Sequence, residues 1–324
     1  MLRRGVLITL FTVTAAVAAH AAAKPTAESD SLANLRPAHT LLGAHDTVSV
    51  PLDLSMRQPI VDVFLNGKGP FRMFLDTGAG TTVLDSSLTA ELGLVKTSET
   101  RLGDPANPQA IAADVVVIDT VRIGAAVFNG VRAASFDRSA IRPGANMPRG
   151  VLGFPTFHDV LETIDFPQAT LRITRGHLGE PDGRAVVQYR APDVVPFIPI
   201  DVAGTPMEAH LDTGSPGFLS IPEKDSARVH FAEPLREVAR GRTVNSVVTF
   251  RGAKLAGAVR VGAVSFDQPL VVLNDKLPNA NLGSRALADC VLTLDPSNQR
   301  MSLVRTRVSP PDTMKVMHAP GPPR

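Results

Sequence analysis

The sequence predicts an all-β protein made of two homologous halves, and three observations carry that expectation. An Asp-Thr-Gly triplet occurs twice, as Asp76-Thr77-Gly78 and Asp212-Thr213-Gly214, each time leaving a mostly apolar strand and turning into a second apolar run. Two further blocks repeat in the same order: Val121 to Phe128 matches Val259 to Phe266, and Val151-Leu152-Gly153 matches Asn281-Leu282-Gly283. The three offsets, 136, 138 and 130 residues, are nearly constant, which is the mark of an internal duplication.

Taken in order, the chain opens with Arg3 and Arg4 ahead of an apolar run, Gly5 to Ala19, and the small residues Ala19 and Ala21. This is the pattern of a cleaved export signal, assigned to residues 1–21. Residues 22–45 are small and polar without a period and are expected to be a linker. From Val48 strand signals dominate, and Ile60 to Leu65, an Asn66-Gly67 turn and the run into Leu75 form a β-hairpin whose outgoing strand delivers Asp76. The same design returns at Val195 to Val202, Ala203-Gly204 and Met207 to Leu211, which delivers Asp212. The Val-Arg-(Ile/Val)-Gly blocks read as strand, tight turn, strand. After each Leu-Gly comes one short helix, then strand, polar turn, strand, with Asp165 and Asp295 at the start of the turns, where Asp commonly bonds nearby backbone N–H groups. Domain limits follow: a first half over 46–180, a connecting segment over 181–193, a second half over 194–308 and a disordered Pro-rich tail over 309–324.

Composition excludes several classes. With 44% apolar and 20% charged residues, 324 residues are enough for two medium domains with their own cores. The 33 Lys+Arg against 31 Asp+Glu become 31 of each once Arg3 and Arg4 are removed, so nothing in the charge points to nucleic acid or an anionic membrane. No second stretch approaches membrane-spanning length, so no integral span is expected after the signal is cleaved. Cys290 stands alone in an apolar stretch and reads as an inert buried thiol. The eight histidines form no His-x-x-x-His or His-Glu-x-x-His pair, no Ser lies in a Gly-x-Ser-x-Gly elbow and no Gly-rich phosphate loop is present, so neither a metal nor a cofactor is expected.

The triplets in their frame, Leu75-Asp76-Thr77-Gly78-Ala79 with Val151-Leu152-Gly153, and Leu211-Asp212-Thr213-Gly214-Ser215 with Asn281-Leu282-Gly283, resemble the aspartic peptidase family, in particular its bacterial retropepsin-like and pepsin-like members. The resemblance covers roughly residues 48–305. It implies a bilobal acid-protease fold, with two closed β-barrel lobes related by a pseudo-twofold axis and the active site between them. It further implies that Asp76 and Asp212 are the catalytic pair, acting on a water that attacks a peptide carbonyl. Thr77 and Thr213 would bond across to the opposite lobe's backbone, and Gly78 and Gly214 would let the backbone bend closely round the carboxyls. Because one chain supplies both triplets, a monomer is expected to be complete, working in a periplasm or outside the cell on peptides or unfolded proteins.

Two neighbours separate the halves. Ser215 is expected to donate to Asp212 and favour its ionised form, extending activity to milder acidity than in gastric-type enzymes, whereas Ala79 offers Asp76 nothing comparable. His210 shares a strand face with Asp212 and is expected to be packed or solvated. Pepsin-like enzymes also cover the site with a hairpin flap bearing a Tyr. Tyr189 lies between the halves, and the segment expected at the flap position, Lys96 to Ala110, is polar with two prolines, while its counterpart, Glu237 to Thr249, carries Arg240-Gly241-Arg242 at its expected tip. A water-excluding lid is therefore not expected, and a catalytically weak or inactive peptide-binding protein stands as the alternative to an endopeptidase. Cleavage of unfolded protein discriminates the two.

Overall fold

The computed structural model describes residues 36–43, 46–104, 107–138, 147–192, 194–242 and 247–307. The expected signal and the expected tail lie outside these residues, as does most of 22–45. Among the described residues no helix is long and apolar enough to cross a membrane.

The first part of the chain contributes β1 (His39–Leu41), β2 (Thr47–Pro51), β3 (Ile60–Leu65), β4 (Lys68–Asp76), β5 (Thr82–Asp85), helix α1 (Ser86–Leu92), β6 (Lys96–Asp104), β7 (Asn107–Ile123), β8 (Ala126–Phe136), β9 (Gly150–Gly153), β10 (Leu161–Asp165), β11 (Thr170–Thr174) and β12 (Val187–Gln188). The second contributes β13 (Phe197–Val202), β14 (Thr205–Asp212), β15 (Leu219–Pro222), β16 (Arg236–Arg242), β17 (Val247–Lys254), β18 (Ala258–Val261), β19 (Val264–Asp267), β20 (Leu270–Asn274), β21 (Ala280–Gly283), helix α2 (Ser284–Leu287), β22 (Cys290–Asp295) and β23 (Arg300–Arg305). The molecule is thus all-β, with helix confined to single short segments.

Local chemistry accounts for the hairpins. Asn66 and Gly67 both take positive φ, 48° and 77°, which the tight turn between β3 and β4 requires. Ala203 and Gly204, at 52° and 88°, do the same between β13 and β14. In the first sheet β8, β5, β9, β4, β3 and β7 pair in succession and β7 returns to β8, closing a six-stranded barrel. Leu75, Leu152, Val121 and Phe128 fill it, all at or below 1% exposure.

The second sheet follows the same succession through β17, β20, β15, β21, β14, β13 and β18. Here the expectation of a second closed barrel needs correction, because the ladder is interrupted. Where β7 runs unbroken, β17 and β18 are separated at 255–257, and β19 and β20 at Gln268-Pro269. Pro269 has no N–H to give a ladder and Gln268 sits at φ 44°. Two irregular bonds span the break, Leu255 N–H to Pro269 C=O and Gln268 N–H to Gly257 C=O, both at 3.0 Å.

A third sheet, in the order β12-β23-β22-β10-β11-β2, is drawn from both parts of the chain. Its central pair, β10 and β22, is antiparallel, and the hydroxyls of Thr163 and Thr293 meet across it at 3.1 Å. The connecting segment 181–193 includes β12 and the buried Tyr189, whose N–H donates to Gln299 C=O at 2.9 Å. Asp165 and Asp295 are turn residues as expected, accepting from the N–H groups of Gln168 at 3.0 Å and Asn298 at 3.3 Å. In the same sheet Glu162 is 1% exposed, and burial pushes its carboxyl up to about 8. Cys290 is fully buried and its thiol is pushed up to about 12, chiefly by burial, which suits an inert packing residue.

Candidate active site

Each Asp is delivered by the same arrangement. β4 runs parallel to β9 with Leu75 opposite Leu152 and Asp76 opposite Gly153, and β14 runs parallel to β21 with Leu211 opposite Leu282 and Asp212 opposite Gly283. Parallel strands ending together leave both carboxyls at strand tips, anchored by buried leucines one residue earlier. Both are buried, Asp76 at 4% exposure and Asp212 at 1%.

The two loops are tied to each other by four reciprocal bonds. Thr77 Oγ1 donates to Leu211 C=O at 2.7 Å and accepts from the Thr213 N–H at 3.1 Å. Thr213 Oγ1 donates to Leu75 C=O at 2.7 Å and accepts from the Thr77 N–H at 3.0 Å. Each hydroxyl satisfies one donor and one acceptor of the opposite loop, so neither loop can move alone without leaving buried polar groups unpaired.

Gly78 and Gly214 make the approach possible. A Cβ on Gly78 would lie 2.7 Å from Asp212 Cγ, and one on Gly214 would strike the Asp76 carboxyl still more closely. Each carboxyl therefore occupies space that any side chain on the other loop would fill. Gly78 N–H also donates to Asp76 Oδ1 at 2.8 Å. The second loop is held further by the buried Gln58, whose amide donates to Gly214 C=O, and by Ser284, whose hydroxyl donates to Ser215 C=O at 2.9 Å.

The halves differ in what surrounds the Asp. On Asp212 the donor is not Ser215, as the sequence suggested, but Asn281, whose Nδ2 donates to Asp212 Oδ2 at 2.7 Å. Asp212 Oδ1 is buried and has no hydrogen-bond partner among the described residues. Ser215 is itself 8% exposed and is tied to the loop through its backbone: its N–H donates to Asp212 C=O at 3.2 Å, and its C=O accepts from Ser284 N–H at 2.8 Å.

The difference extends across a row of residues in register. In the first sheet Ile60, Phe74, Val151, Val83 and Ala134 face one another strand by strand and are all buried in one apolar cluster that also contains Ala79. The matching row in the second sheet reads Phe197, His210, Asn281, Ser220 and Val272. His210 is packed as expected, 7% exposed with its ring stacked on Phe197 at 5.1 Å and 17°. Ala79 packs among apolar neighbours, while the second sheet carries His210, Asn281 and Ser220 in the middle of the matching row.

The segment read as an uncovered polar loop is a β-hairpin. β6 pairs with β7 from Lys96 to Asp104, and Leu102 and Ala113 turn their side chains into the Ala79 cluster. Among the described residues of Lys96 to Asp104, Leu102 is the buried position amid polar ones, which hid the strand. In the second sheet β16 and β17 form the corresponding hairpin. The side chains at both tips lie outside the described residues. Tyr189 is far from either hairpin in sequence and buried in the third sheet's border, in agreement with its exclusion as a lid residue.

Among the described residues no group of three His, Cys, Asp or Glu side chains is arranged to hold a metal ion. Residues 61–156 match the family model described as aspartyl protease. The match contains the first triplet with its Leu152-Gly153 block and ends before the second. No curated protein matches the chain.

Proposed function

We propose that the protein is an aspartic endopeptidase that hydrolyses peptide bonds through a water held between Asp76 and Asp212. The observation that carries this reading is the reciprocal Thr77–Thr213 bonding, which brings two buried carboxyls from distant parts of one chain to a common place. In this reading the two sheets are homologous lobes related by a pseudo-twofold axis, and one chain makes a complete site as a monomer.

Two close carboxyls do not both ionise readily, so such a pair holds one proton between them. The ionised member takes a proton from the water, whose oxygen attacks the peptide carbonyl carbon. The protonated member gives its proton to the carbonyl oxygen. The carboxyl that took the water's proton passes it to the amide nitrogen, the other takes a proton back from a diol hydroxyl, the C–N bond breaks to release the amine and the acid, and no covalent enzyme intermediate forms. The β6–β7 hairpin, rooted on the Ala79 cluster, serves as the cover that limits water entry. Substrates in this reading are peptides or unfolded proteins, and the export-signal pattern of residues 1–21 supports work in the periplasm or outside the cell.

The test is incubation with an unfolded protein across pH 3–8, with and without pepstatin, for the wild type and for Asp76→Asn and Asp212→Asn. The reading predicts pepstatin-sensitive cleavage by the wild type and a loss of at least about 10³-fold in each variant. Cleavage that survives either substitution refutes the pair, and a wild type that binds peptides without cutting them returns the protein to the binding class.

A further inference from the structure

We propose that the second half carries the main determinant of substrate choice: a half-open polar row, His210, Asn281 and Ser220, that selects peptides presenting an uncharged hydrogen-bonding side chain (Ser, Thr, Asn or Gln) to that side of the scissile bond. This inference rests on the peptidase reading, which it deepens by naming the class of substrate.

Strand geometry puts the row in the site. Side chains two apart on a strand share a face, and so do residues directly opposite each other across a ladder. His210 therefore lies on the face of β14 that carries Asp212, and Asn281 and Ser220 continue that face across β21 and β15. The 2.7 Å bond from Asn281 Nδ2 to Asp212 Oδ2 agrees with this direction. In the first half Phe74, Val151 and Val83 hold the matching places on the face of Asp76.

The two rows differ in cover as well as in chemistry. Ile60, Phe74, Val151, Val83 and Ala134 are each at most 4% exposed, and Leu102 and Ala113 of the β6–β7 hairpin pack into the same cluster, so the protein's own side chains fill that side. In the second half Phe197, Ser220 and Val272 are only half-buried, which leaves the row accessible to a ligand. Asn281 commits its Nδ2 to Asp212 and keeps Oδ1 as an acceptor, while the Ser220 hydroxyl can both donate and accept. A hydroxyl or carboxamide on the substrate satisfies both. A large apolar side chain would cover these groups without bonding them, which weakens binding. A carboxylate would be brought beside Asp212, and the row holds no acid to pair a cation.

Ser220→Val gives the second half the residue that the first half carries at the matching place, Val83. The test is kcat/KM of the full-length protein and this variant on fluorogenic peptides in which each position flanking the cleaved bond is in turn Asn or its near-isostere Leu. At one position the wild type should prefer Asn by at least about tenfold. At that position Ser220→Val should lose at least about fivefold on the Asn peptide while cleaving the Leu peptide as well as the wild type or better, a pair of effects that a merely loosened fold would not give. A wild type without such a position, or a preference that Ser220→Val leaves unchanged, overturns the proposal. If the wild type cleaves none of the peptides, the peptidase reading fails instead, and the dissociation constants of the same peptides decide the row's role: tighter binding of the Asn peptides that Ser220→Val removes upholds it, and equal binding or none overturns it.

Discussion

Thr77 and Thr213 do more for the site than their size suggests, because each hydroxyl satisfies two backbone groups of the opposite loop. Thr213→Val keeps the shape and leaves the Leu75 carbonyl and the Thr77 N–H buried without partners. We expect a loss of about 3 kcal/mol in urea unfolding, since each orphaned group costs about 1–3 kcal/mol. Thr213→Ser, which keeps the hydroxyl, should lose less than half of that. Gly214→Ala tests the close approach at the same loop: its methyl would displace the Asp76 carboxyl, so activity should fall at least about 10²-fold with the fold retained by circular dichroism. These residues were legible in the sequence because the triplet is repeated in a repeated frame. Asn281 and Gln58 were not. Asn281 reaches Asp212, 69 residues before it, only because β21 runs parallel to β14. Gln58 bonds Gly214 across 156 residues, and no local pattern announces either contact.

At the scale of elements, turn chemistry was the readable part and short or polar elements were the hidden part. Asn66-Gly67 announced the β3–β4 hairpin, and the Val-Arg-(Ile/Val)-Gly blocks announced two more tight turns. Helix α1 went unread because seven residues are too few to display a helical period. Its ends are nonetheless chemically marked: Asp85 Oδ1 accepts from Ser87 N–H at 3.0 Å at the start, and Gly93 closes it at φ 72°. Asp85→Ala should cost about 1 kcal/mol of stability, measured by urea unfolding. The β6–β7 hairpin reads as a polar loop in the sequence because its outer face is solvated and few of its described side chains, Leu102 and Ala113 among them, point inward. Leu102→Ala removes the larger of these anchors and should cost about 2–3 kcal/mol, with hydrogen exchange along β6 rising more than in the barrel.

Among the described residues the two parts of the chain meet at the site, through the reciprocal threonines and Gln58, and in the third sheet, where β10 of the first part pairs with β22 of the second. Glu162 lies in that junction, on β10, buried among strands, and its Oε2 has no hydrogen-bond partner among the described residues. Its ordinary value of 4.5 is raised to about 8 by burial. The folded chain thus keeps a proton that the unfolded chain gives up above pH 4.5. Stability from this group is complete below about pH 4.5 and declines as pH rises towards 8, by about 1.4 kcal/mol per unit and roughly 4–5 kcal/mol in all. Glu162→Gln should abolish that decline, so urea midpoints taken at pH 5, 6.5 and 8 should fall for the wild type and stay level for the variant. The duplication was legible at this scale from three blocks at near-constant offset. The shared third sheet was not, because its pairing links segments that repeat each other and so give no sign of whether each pairs within its own half or with its twin.

In the proposed function Asp76 and Asp212 act as one unit. This is tested most directly by kcat/KM on a single fluorogenic peptide for Asp76→Asn, Asp212→Asn and the double variant. Residues that act together lose their function together. Each single variant is expected to fall by at least about 10³-fold, and the double variant to be no worse than either. Additive losses, or a single variant that keeps activity near that of the wild type, would contradict it.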